Sequence, residues 1–312
     1  MPDQRVAVLL PCYNEAIAIA DVVRGFAAAL PGATVYVYDN NSSDDTVRVA
    51  KAAGAVVRSE SRQGKGNVVR RMFADIDADI YVMADGDQTY DAASAPDMVE
   101  KLVTGQLDMV VAKRLPAGDG SAAYRPGHAS GNRIMTGFVA RLFGECFTDI
   151  FSGYRVFSRR FVKSFPALAT GFEIETELTV HALELGLPVA EIPSPYNARP
   201  EGSVSKLSTF GDGWRILLTI LQLHKDIRPF RFFSAIGIAL LAVAVALAWP
   251  LLLTWLDTGL VPRIPTAILV TGIVLLAFIS FACGVILDSV ARGRLEAKRL
   301  AYLAASRSCP SS

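Results

Sequence analysis

The chain has 312 residues and a formal net charge of +1, so its overall charge gives no sign of binding to nucleic acid. Its hydrophobic content of 52% is high for a soluble protein, but the excess lies after Arg231, and the preceding part has the composition of an ordinary core-forming domain. The four cysteines (Cys12, Cys146, Cys283 and Cys309) are scattered without a CxxC pair, which disfavours both a zinc site and a disulfide framework.

The first part of the chain alternates short apolar runs with amphipathic stretches, a pattern typical of a parallel sheet covered by helices. Buried strands are predicted at residues 6–10, 35–38, 80–83 and 109–112. Helices are predicted at residues 16–30, 44–53, 66–74 and 95–103. The predicted fold class is therefore α/β, with a doubly wound sheet.

The next region is predicted to complete this domain. Residues 118–131 are rich in Gly, Ser, Ala and Pro, which is typical of a mobile loop over a site. The elements expected after it are a helix at 132–143, a strand near 154–157, a helix around 173–185 and a strand reaching 191–193. Residues 207–221 place apolar side chains at helical spacing, which indicates either an amphipathic helix in a membrane interface or a helix packed on the domain.

Two uncharged apolar runs, at residues 232–256 and 264–287, lie near the C-terminus. Each is long enough to cross a bilayer, since a helix needs roughly 20 residues to do so. Basic residues flank the pair on both outer sides, whereas the connecting turn carries only Arg263. The positive-inside rule therefore predicts a hairpin with both ends in the cytoplasm. With no secretory signal ahead of the first domain, we expect a multi-pass protein of the inner membrane with a cytoplasmic catalytic domain.

Polar side chains follow three of the predicted strands, at residues 11–15, 39–45 and 85–87. In a doubly wound sheet, ligands bind beyond the carboxyl ends of the strands, so three polar clusters at one edge predict a polar ligand. Asp85 and Asp87 are two residues apart and point the same way in an extended segment. Their oxygens suit Mg²⁺ or Mn²⁺ bound against substrate phosphates.

Two further acidic runs are expected to lie mostly outside this site. Asp75, Asp77 and Asp79 precede a strand and are expected in a solvated turn at the opposite edge of the sheet. Glu173, Glu175 and Glu177 alternate along a predicted helix, so at most one of them is expected to reach the site. The chain has neither G-x-G-x-x-G after the first strand nor a P-loop motif, which disfavours a dinucleotide oxidoreductase and a nucleotide-hydrolysing motor.

Taken together, these motifs resemble the glycosyltransferase family-two domain, a GT-A (Rossmann-like) fold that uses a nucleotide sugar. The matching pieces are residues 11–15, Asp39 with its polar turn, residues 62–66 and the DxD of residues 85–87. Residues 148–155 and 203–207 are similar to the polyprenyl-phosphate branch of that family, which includes dolichyl-phosphate mannose synthases and bacterial lipid-linked glucosyltransferases with two C-terminal spans. The resemblance covers nearly the whole chain and thins after residue 264.

The resemblance implies a donor site and a metal site. The donor residues would be Pro11, Tyr13, Asn14, Glu15, Asp39, Asn41, Lys65 and Asp85. Asp39 would accept hydrogen bonds from the base, and Lys65 would lie near the diphosphate, although its Gly-Lys-Gly segment is equally typical of an ordinary loop. Asp87, helped by Asp85, would be the main metal ligand. Some relatives add a Gln two residues beyond the DxD; Thr89 stands here instead, so water or diphosphate oxygens would complete the metal shell.

The acceptor site implied by the resemblance is cationic. Arg133, Arg199 and Lys206 would hold the lipid phosphate, and Arg114 would lie near the phosphates. Asp149 occupies the family's catalytic-aspartate position. Because a phosphate monoester with a second pKa near 6 is already largely dianionic at neutral pH, no strong base is required. We therefore expect Asp149 to orient or stabilise charged groups, with a turn or cap residue as the alternative.

The implied enzyme is an inverting, metal-dependent glycosyltransferase that moves one hexose from a nucleotide sugar (UDP-glucose-type or GDP-mannose) to undecaprenyl or dolichyl phosphate. Its expected parts are a GT-A domain (residues 1–205), an amphipathic juxtamembrane region (206–231), two spans (within 232–288) and a basic tail (289–312). A transferase acting on a glycolipid or polysaccharide is one alternative; the QxxRW motif and extra spans of processive synthases do not appear. A non-catalytic membrane scaffold is the other, and the spans could support a homo-oligomer.

Overall fold

The computed structural model describes residues 4–116, 147–200 and 221–305, together with residues 137 and 218. The described residues divide into two compact units. One contains a β-sheet with its covering helices and residues 298–305, and the other contains residues 221–297. The loop predicted at 118–131, the helix predicted at 132–143 and nearly all of the amphipathic segment at 207–221 lie outside the described residues.

Seven strands form one sheet in the order β3-β2-β1-β4-β6-β5-β7. Their bounds are β1 Val6–Cys12, β2 Thr34–Asp39, β3 Val56–Ser59, β4 Ile80–Met83, β5 Met109–Pro116, β6 Arg155–Ser158 and β7 Val189–Tyr196. Strand β6 runs antiparallel between β4 and β5, and the other pairs are parallel. The expected parallel sheet is therefore a mixed one. The physical reason is that the turn before β6 lies beside the carboxyl end of β5, so β6 must run back through the sheet.

The helices predicted in the first part of the chain are present with similar bounds. They are α1 Ile19–Ala29, α2 Thr46–Ala52, α3 Lys65–Asp75 and α4 Ala95–Thr104. Two more follow, α5 Arg159–Ser164 and α6 Ile174–Leu185, of which the sequence predicted only the second. Strand β3 was also not expected, because four largely exposed residues are too few to show an alternating pattern.

The sheet is covered on both faces. On one face, Ile19 and Phe26 of α1 and Met98 of α4 pack on Val8 and Leu10 of β1 within one buried cluster. Aromatic side chains dominate elsewhere: Phe73, Phe157, Phe161 and Phe165 make a chain of ring contacts with centroids 4.8–6.1 Å apart. Burying one such side chain contributes about 1.5–3 kcal/mol, so both layers stabilise the sheet that carries the polar segments.

The second unit contains helix α7 (Pro229–Thr258) and most of helix α8 (Ile264–Ala304), whose residues from Lys298 onward belong to the first unit. Both helices are long and apolar enough to cross a membrane. In the most apolar 18-residue stretch of each, only 11% and 17% of the residues are buried. The helices approach closely at small residues: Ser280 Oγ donates to the carbonyl of Phe233 at 2.9 Å, and a Cβ on Gly284 would lie 3.2 Å from Phe233 Cβ. Helix α8 continues well beyond the span predicted to end at residue 287.

Candidate active site

The carboxyl ends of β1, β2 and β4 bring the three predicted polar clusters to one edge of the sheet. Cys12 at the end of β1 is in register with Asp39 at the end of β2. The Asp85-Gly86-Asp87 segment follows β4, the other neighbour of β1. A Cβ on Gly86 would lie 2.5 Å from Cys12 Sγ, so glycine is required for this close approach.

The segments after β1 and β2 are tied together by side-chain hydrogen bonds. The Asn14 amide donates to Ser42 Oγ at 2.8 Å, and the Ser43 amide donates back to Asn14 Oδ1 at 2.8 Å. The Glu15 amide donates to Thr46 Oγ1 at 2.8 Å. Asn14 adopts a left-handed backbone (φ 52°), which asparagine tolerates better than most residues. This edge therefore forms a preorganised wall and not a loose loop.

The other predicted donor residues lie along the same wall. Asp39 is buried and accepts the Ser42 amide at 3.3 Å on both carboxylate oxygens. Asn41 donates to the Ser61 carbonyl at 2.9 Å. Pro11 is half-buried and Tyr13 is exposed, which leaves the Tyr13 ring accessible for stacking.

Lys65, at the start of α3, sits between two carboxylates. Its ammonium pairs with Asp85 and lies 2.5 Å from Glu175 Oε1. Burial alone would lower the pKa of Lys65, but the two carboxylates outweigh burial and raise that pKa well above its ordinary value. Glu175 on α6 thus contacts the DxD through Lys65, while Glu177 accepts the amides of Leu168 and Ala169 at 3.0 and 2.8 Å.

Both oxygens of Asp87 are engaged by neighbouring side chains. Thr89 Oγ1 donates to Oδ1 at 2.6 Å, and Arg199 lies 2.5 Å from Oδ2. Thr89, which stands where some relatives place a metal-binding glutamine, therefore orients the main predicted metal ligand. Arg199 was expected at a lipid phosphate, and the structure places it on the DxD.

The carboxylate oxygens of Asp85 and Asp87 are ligands of the kind that a hard divalent cation such as Mg²⁺ or Mn²⁺ prefers. Asp85 and Asp87 both carry carboxylate oxygens in the segment that follows β4, and the side chain of Asp85 remains 29% exposed. Across the residues that the structure describes, no group of three or more His, Cys, Asp or Glu side chains could hold a metal by itself. Any Mg²⁺ or Mn²⁺ bound here would complete its shell with diphosphate oxygens and water, which is the usual pattern for these ions.

Arg114 and Asp149 form a two-pronged ion pair at the end of β5. Arg114 Nε and Nη2 each lie 2.7 Å from one oxygen of Asp149, and the Arg114 amide donates to Oδ2 at 3.2 Å. The Arg114 guanidinium also stacks over the Tyr196 ring, 5.5 Å from its centroid. Asp149 is buried, so the pair is shielded from water and fixed in orientation.

The turn that carries Asp149 also reaches the DxD. A Cβ on Gly153 would lie 2.8 Å from Asp85 Oδ2 and 3.1 Å from Lys65 Nζ. The Gly153 amide donates to the Tyr90 hydroxyl at 2.8 Å. The Arg114–Asp149 pair and the DxD therefore belong to one continuous site. Arg133 and Lys206, the other two cations expected at the acceptor, lie outside the described residues.

Comparison with known proteins agrees with this geometry. The model of the family described as glycosyl transferase family 2 matches residues 7–165, about half of the chain. Glycosyltransferase AglJ of Haloferax volcanii is 35% identical over 279 residues, which cover 86% of this chain and 88% of that protein. The low-salt glycan biosynthesis hexosyltransferase Agl6 of the same organism is 31% identical over 251 residues, 78% of this chain and 59% of that protein.

A solved structure shares the fold. Glucosyl-3-phosphoglycerate synthase from Mycobacterium tuberculosis, in complex with Mn²⁺, UDP and phosphoglyceric acid, superposes with a TM-score of 0.59 and 26% identity. The match covers 71% of this chain and 78% of that one. The predicted GT-A-like α/β fold is thereby confirmed, and the structure itself confirms the two C-terminal apolar helices. The chain belongs to glycosyl transferase family 2 and is a glycosyltransferase.

Proposed function

We propose that this protein transfers a single hexose from a nucleotide sugar to a polyprenyl phosphate, with inversion and with the help of Mg²⁺ or Mn²⁺. The observation that carries the proposal is the continuous site in which the DxD adjoins the Arg114–Asp149 pair, on a chain that also holds two membrane-length apolar helices. One half of this site suits a diphosphate, and the other suits a second anion.

The donor would lie along the wall after β1 and β2. Tyr13 would face the base, Asp39 would accept its hydrogen bonds, and Lys65 would approach the diphosphate. Pro11, Asn14, Glu15 and Asn41 would shape the pocket. Asp85 and Asp87 would hold a divalent ion, which would neutralise the leaving nucleotide diphosphate as a Lewis acid.

The acceptor phosphate would bind on the cationic side. An oxygen of the phosphate attacks the anomeric carbon as the bond to the diphosphate breaks, so configuration inverts. Both Asp149 oxygens already accept from Arg114 at 2.7 Å, which favours an orienting role over proton abstraction. Arg114 would then stabilise negative charge between the two substrates. Arg133 and Lys206 would hold the acceptor, and Arg199 would join them when a metal ion takes its place on Asp87.

The membrane arrangement is part of the proposal. The sheet domain and both chain ends would face the cytoplasm, helices α7 and α8 would form the anchoring hairpin, and the segment at 206–231 would lie at the membrane surface. A glycolipid or polysaccharide acceptor is the alternative, and the phosphoglycerate used by the solved neighbour raises a soluble phosphate as a third.

A donor panel tests the proposal. Purified protein in detergent is given undecaprenyl phosphate, Mn²⁺ and radiolabelled UDP-glucose, UDP-galactose, UDP-N-acetylglucosamine or GDP-mannose, with EDTA as the metal-free arm. One donor should label the lipid, and EDTA should abolish labelling.

Two matched variants test the metal site. Asp87→Asn removes the main proposed metal ligand and should lower turnover at least about 100-fold. Asp77→Asn changes the first aspartate of the Asp77-Ala78-Asp79 segment before β4 and should leave turnover unchanged. Full activity of the Asp87→Asn protein would refute the metal assignment.

A further inference from the structure

The turn that carries Asp149 is held from one side by a carboxylate on β7. Glu191 Oε1 accepts the amides of Thr148 and Asp149 at 2.8 and 3.0 Å. Glu191 Oε2 accepts the Thr148 hydroxyl at 2.7 Å and the Thr148 amide at 2.9 Å. A charged acceptor makes such hydrogen bonds shorter and stronger than a neutral one. Glu191 therefore fixes the main chain at the residue whose side chain faces Arg114.

The same turn is held from the other side by a guanidinium on β6. Arg155 is fully buried, and its Nε donates to the Ser152 carbonyl at 2.8 Å while Nη2 donates to the Ile150 carbonyl at 2.6 Å. Its Nη1 donates to Thr179 Oγ1 on α6 at 2.9 Å. Arginine suits this task because its planar fork offers five donors in a rigid geometry.

We propose that Glu191 and Arg155 are positioning residues for the transfer reaction and act on Asp149 through the backbone of its turn. The carboxylate takes N–H groups at residues 148 and 149, and the guanidinium takes C=O groups at 150 and 152. The negative charge of Glu191 thus binds N–H groups at and before Asp149, and the positive charge of Arg155 binds C=O groups after it. This inference rests on the proposed function, in which the Arg114–Asp149 pair lies at the reacting phosphates.

The hydrogen bonds from Glu191 and Arg155 fix the turn at residues 148–152, which lies outside the strands of the sheet. Arg114 extends from β5, and its partner Asp149 would otherwise depend on a turn without ladder hydrogen bonds. Glu191 lies on β7, the parallel neighbour of β5, in register with Val111. Arg114 is thereby fixed by β5, and Asp149 is fixed by β7 through Glu191. A misplacement of about 1 Å in an active site can lower the rate about 100-fold. The fixed position of Asp149 relative to Arg114 therefore matters for turnover.

The first test compares Glu191→Gln with Asp79→Asn. Gln keeps one acceptor oxygen but places its NH₂ group where the second oxygen was. The hydrogen bonds that this second oxygen accepted from the turn are therefore lost. Asp79 also accepts a backbone amide, that of Arg5 at 2.8 Å, and precedes β4 at the edge opposite the DxD, which makes Asp79→Asn a matched control. Glu191→Gln should lower kcat about 10- to 100-fold while KM for the donor and the affinity for Mn²⁺ with UDP stay within about twofold. The control should leave all of these unchanged.

A double-mutant cycle asks whether Glu191 acts through Asp149. In an Asp149→Asn background, Glu191→Gln should lower kcat by less than about threefold further, because residues that act as one unit are not additive. Losses that multiply fully would overturn the proposal. Thr148→Val, which removes only the hydroxyl bond, should lower kcat by a smaller factor and keeps the test usable if Glu191→Gln does not fold.

Amide hydrogen exchange separates this inference from the proposed function. A peptide covering residues 147–153 should exchange faster in Glu191→Gln and in Arg155→Lys than in the wild type, and Asp79→Asn should not change it. If the wild type transfers no sugar to lipid, the proposed function fails while the exchange result still tests the grip on the turn. Unchanged exchange, or faster exchange with full kcat, would overturn the positioning role.

Discussion

The pairing of Arg199 with Asp87 makes a specific prediction for metal affinity. Arg199 lies 2.5 Å from Asp87 Oδ2, with the two side chains 25% and 5% exposed. A divalent cation bound at Asp87 Oδ2 would compete with this guanidinium for the same carboxylate oxygen. Removing the arginine charge in Arg199→Gln should therefore strengthen Mn²⁺ binding in the absence of nucleotide.

The expected size follows from the contact. A hydrogen bond to a charged group contributes about 1.5–3 kcal/mol net. Each 1.4 kcal/mol corresponds to about a factor of ten in a binding constant, so the Mn²⁺ Kd should fall roughly 10- to 150-fold. Arg199→Lys keeps the charge but loses the fork geometry, and its Kd should lie between those of the wild type and Arg199→Gln.

Titration of Mn²⁺ followed by the electron paramagnetic resonance signal of the free ion measures this Kd directly. Arg48→Gln is the control, because Arg48 forms a comparable arginine–aspartate pair with Asp45 at 2.8 Å on an exposed helix start. That variant should bind Mn²⁺ as the wild type does. A Kd for Arg199→Gln equal to or weaker than the wild-type value would refute the competition between Arg199 and the metal.

Two further predictions concern stability. Lys65→Met leaves Asp85 and Glu175 without their shared cation and should cost about 3 kcal/mol, the low end for a broken buried pair because Asp85 is 29% exposed. The melting temperature should fall by about 6–12 °C, and adding Glu175→Gln should restore part of this loss. An unchanged melting temperature in Lys65→Met would contradict a stabilising role of the Lys65 pairs with Asp85 and Glu175. Burial, aided by Lys298, lowers the pKa of His181 to about 3, so His181 stays neutral in the folded protein while the unfolded chain takes up a proton below about pH 6.5. Stability should therefore be lost as pH falls below that value, by about 2 kcal/mol at pH 5, and His181→Leu should show a smaller drop in melting temperature between pH 7 and pH 5.

Local patterns in the sequence were sufficient to predict the sheet edge at which we propose the donor site. Strands β1, β2, β4 and β5 are short, buried apolar runs, and such runs are recognisable without tertiary information. Their parallel direction then places the polar residues after each strand at one edge. The position of the DxD beside the Asn14 turn follows from this rule alone.

Contacts between distant segments could not be predicted from the sequence. Glu191 meets Thr148 across a separation of 43 residues, and nothing local distinguishes it from a solvated glutamate. Glu173 directly precedes α6, and Glu175 and Glu177 lie in its first turn. The packing of α6 against α3 selects Glu175 for Lys65. The antiparallel course of β6 likewise depends on where the preceding chain returns to the sheet.

The most direct test of the central claim is the choice of acceptor. Purified protein is incubated with Mn²⁺ and a labelled nucleotide sugar, and with either undecaprenyl phosphate or 3-phosphoglycerate in separate reactions. We expect Mn²⁺-dependent label in the organic phase with the lipid phosphate and none on phosphoglycerate. Label on phosphoglycerate, or none on lipid from a donor that demonstrably binds, would contradict it.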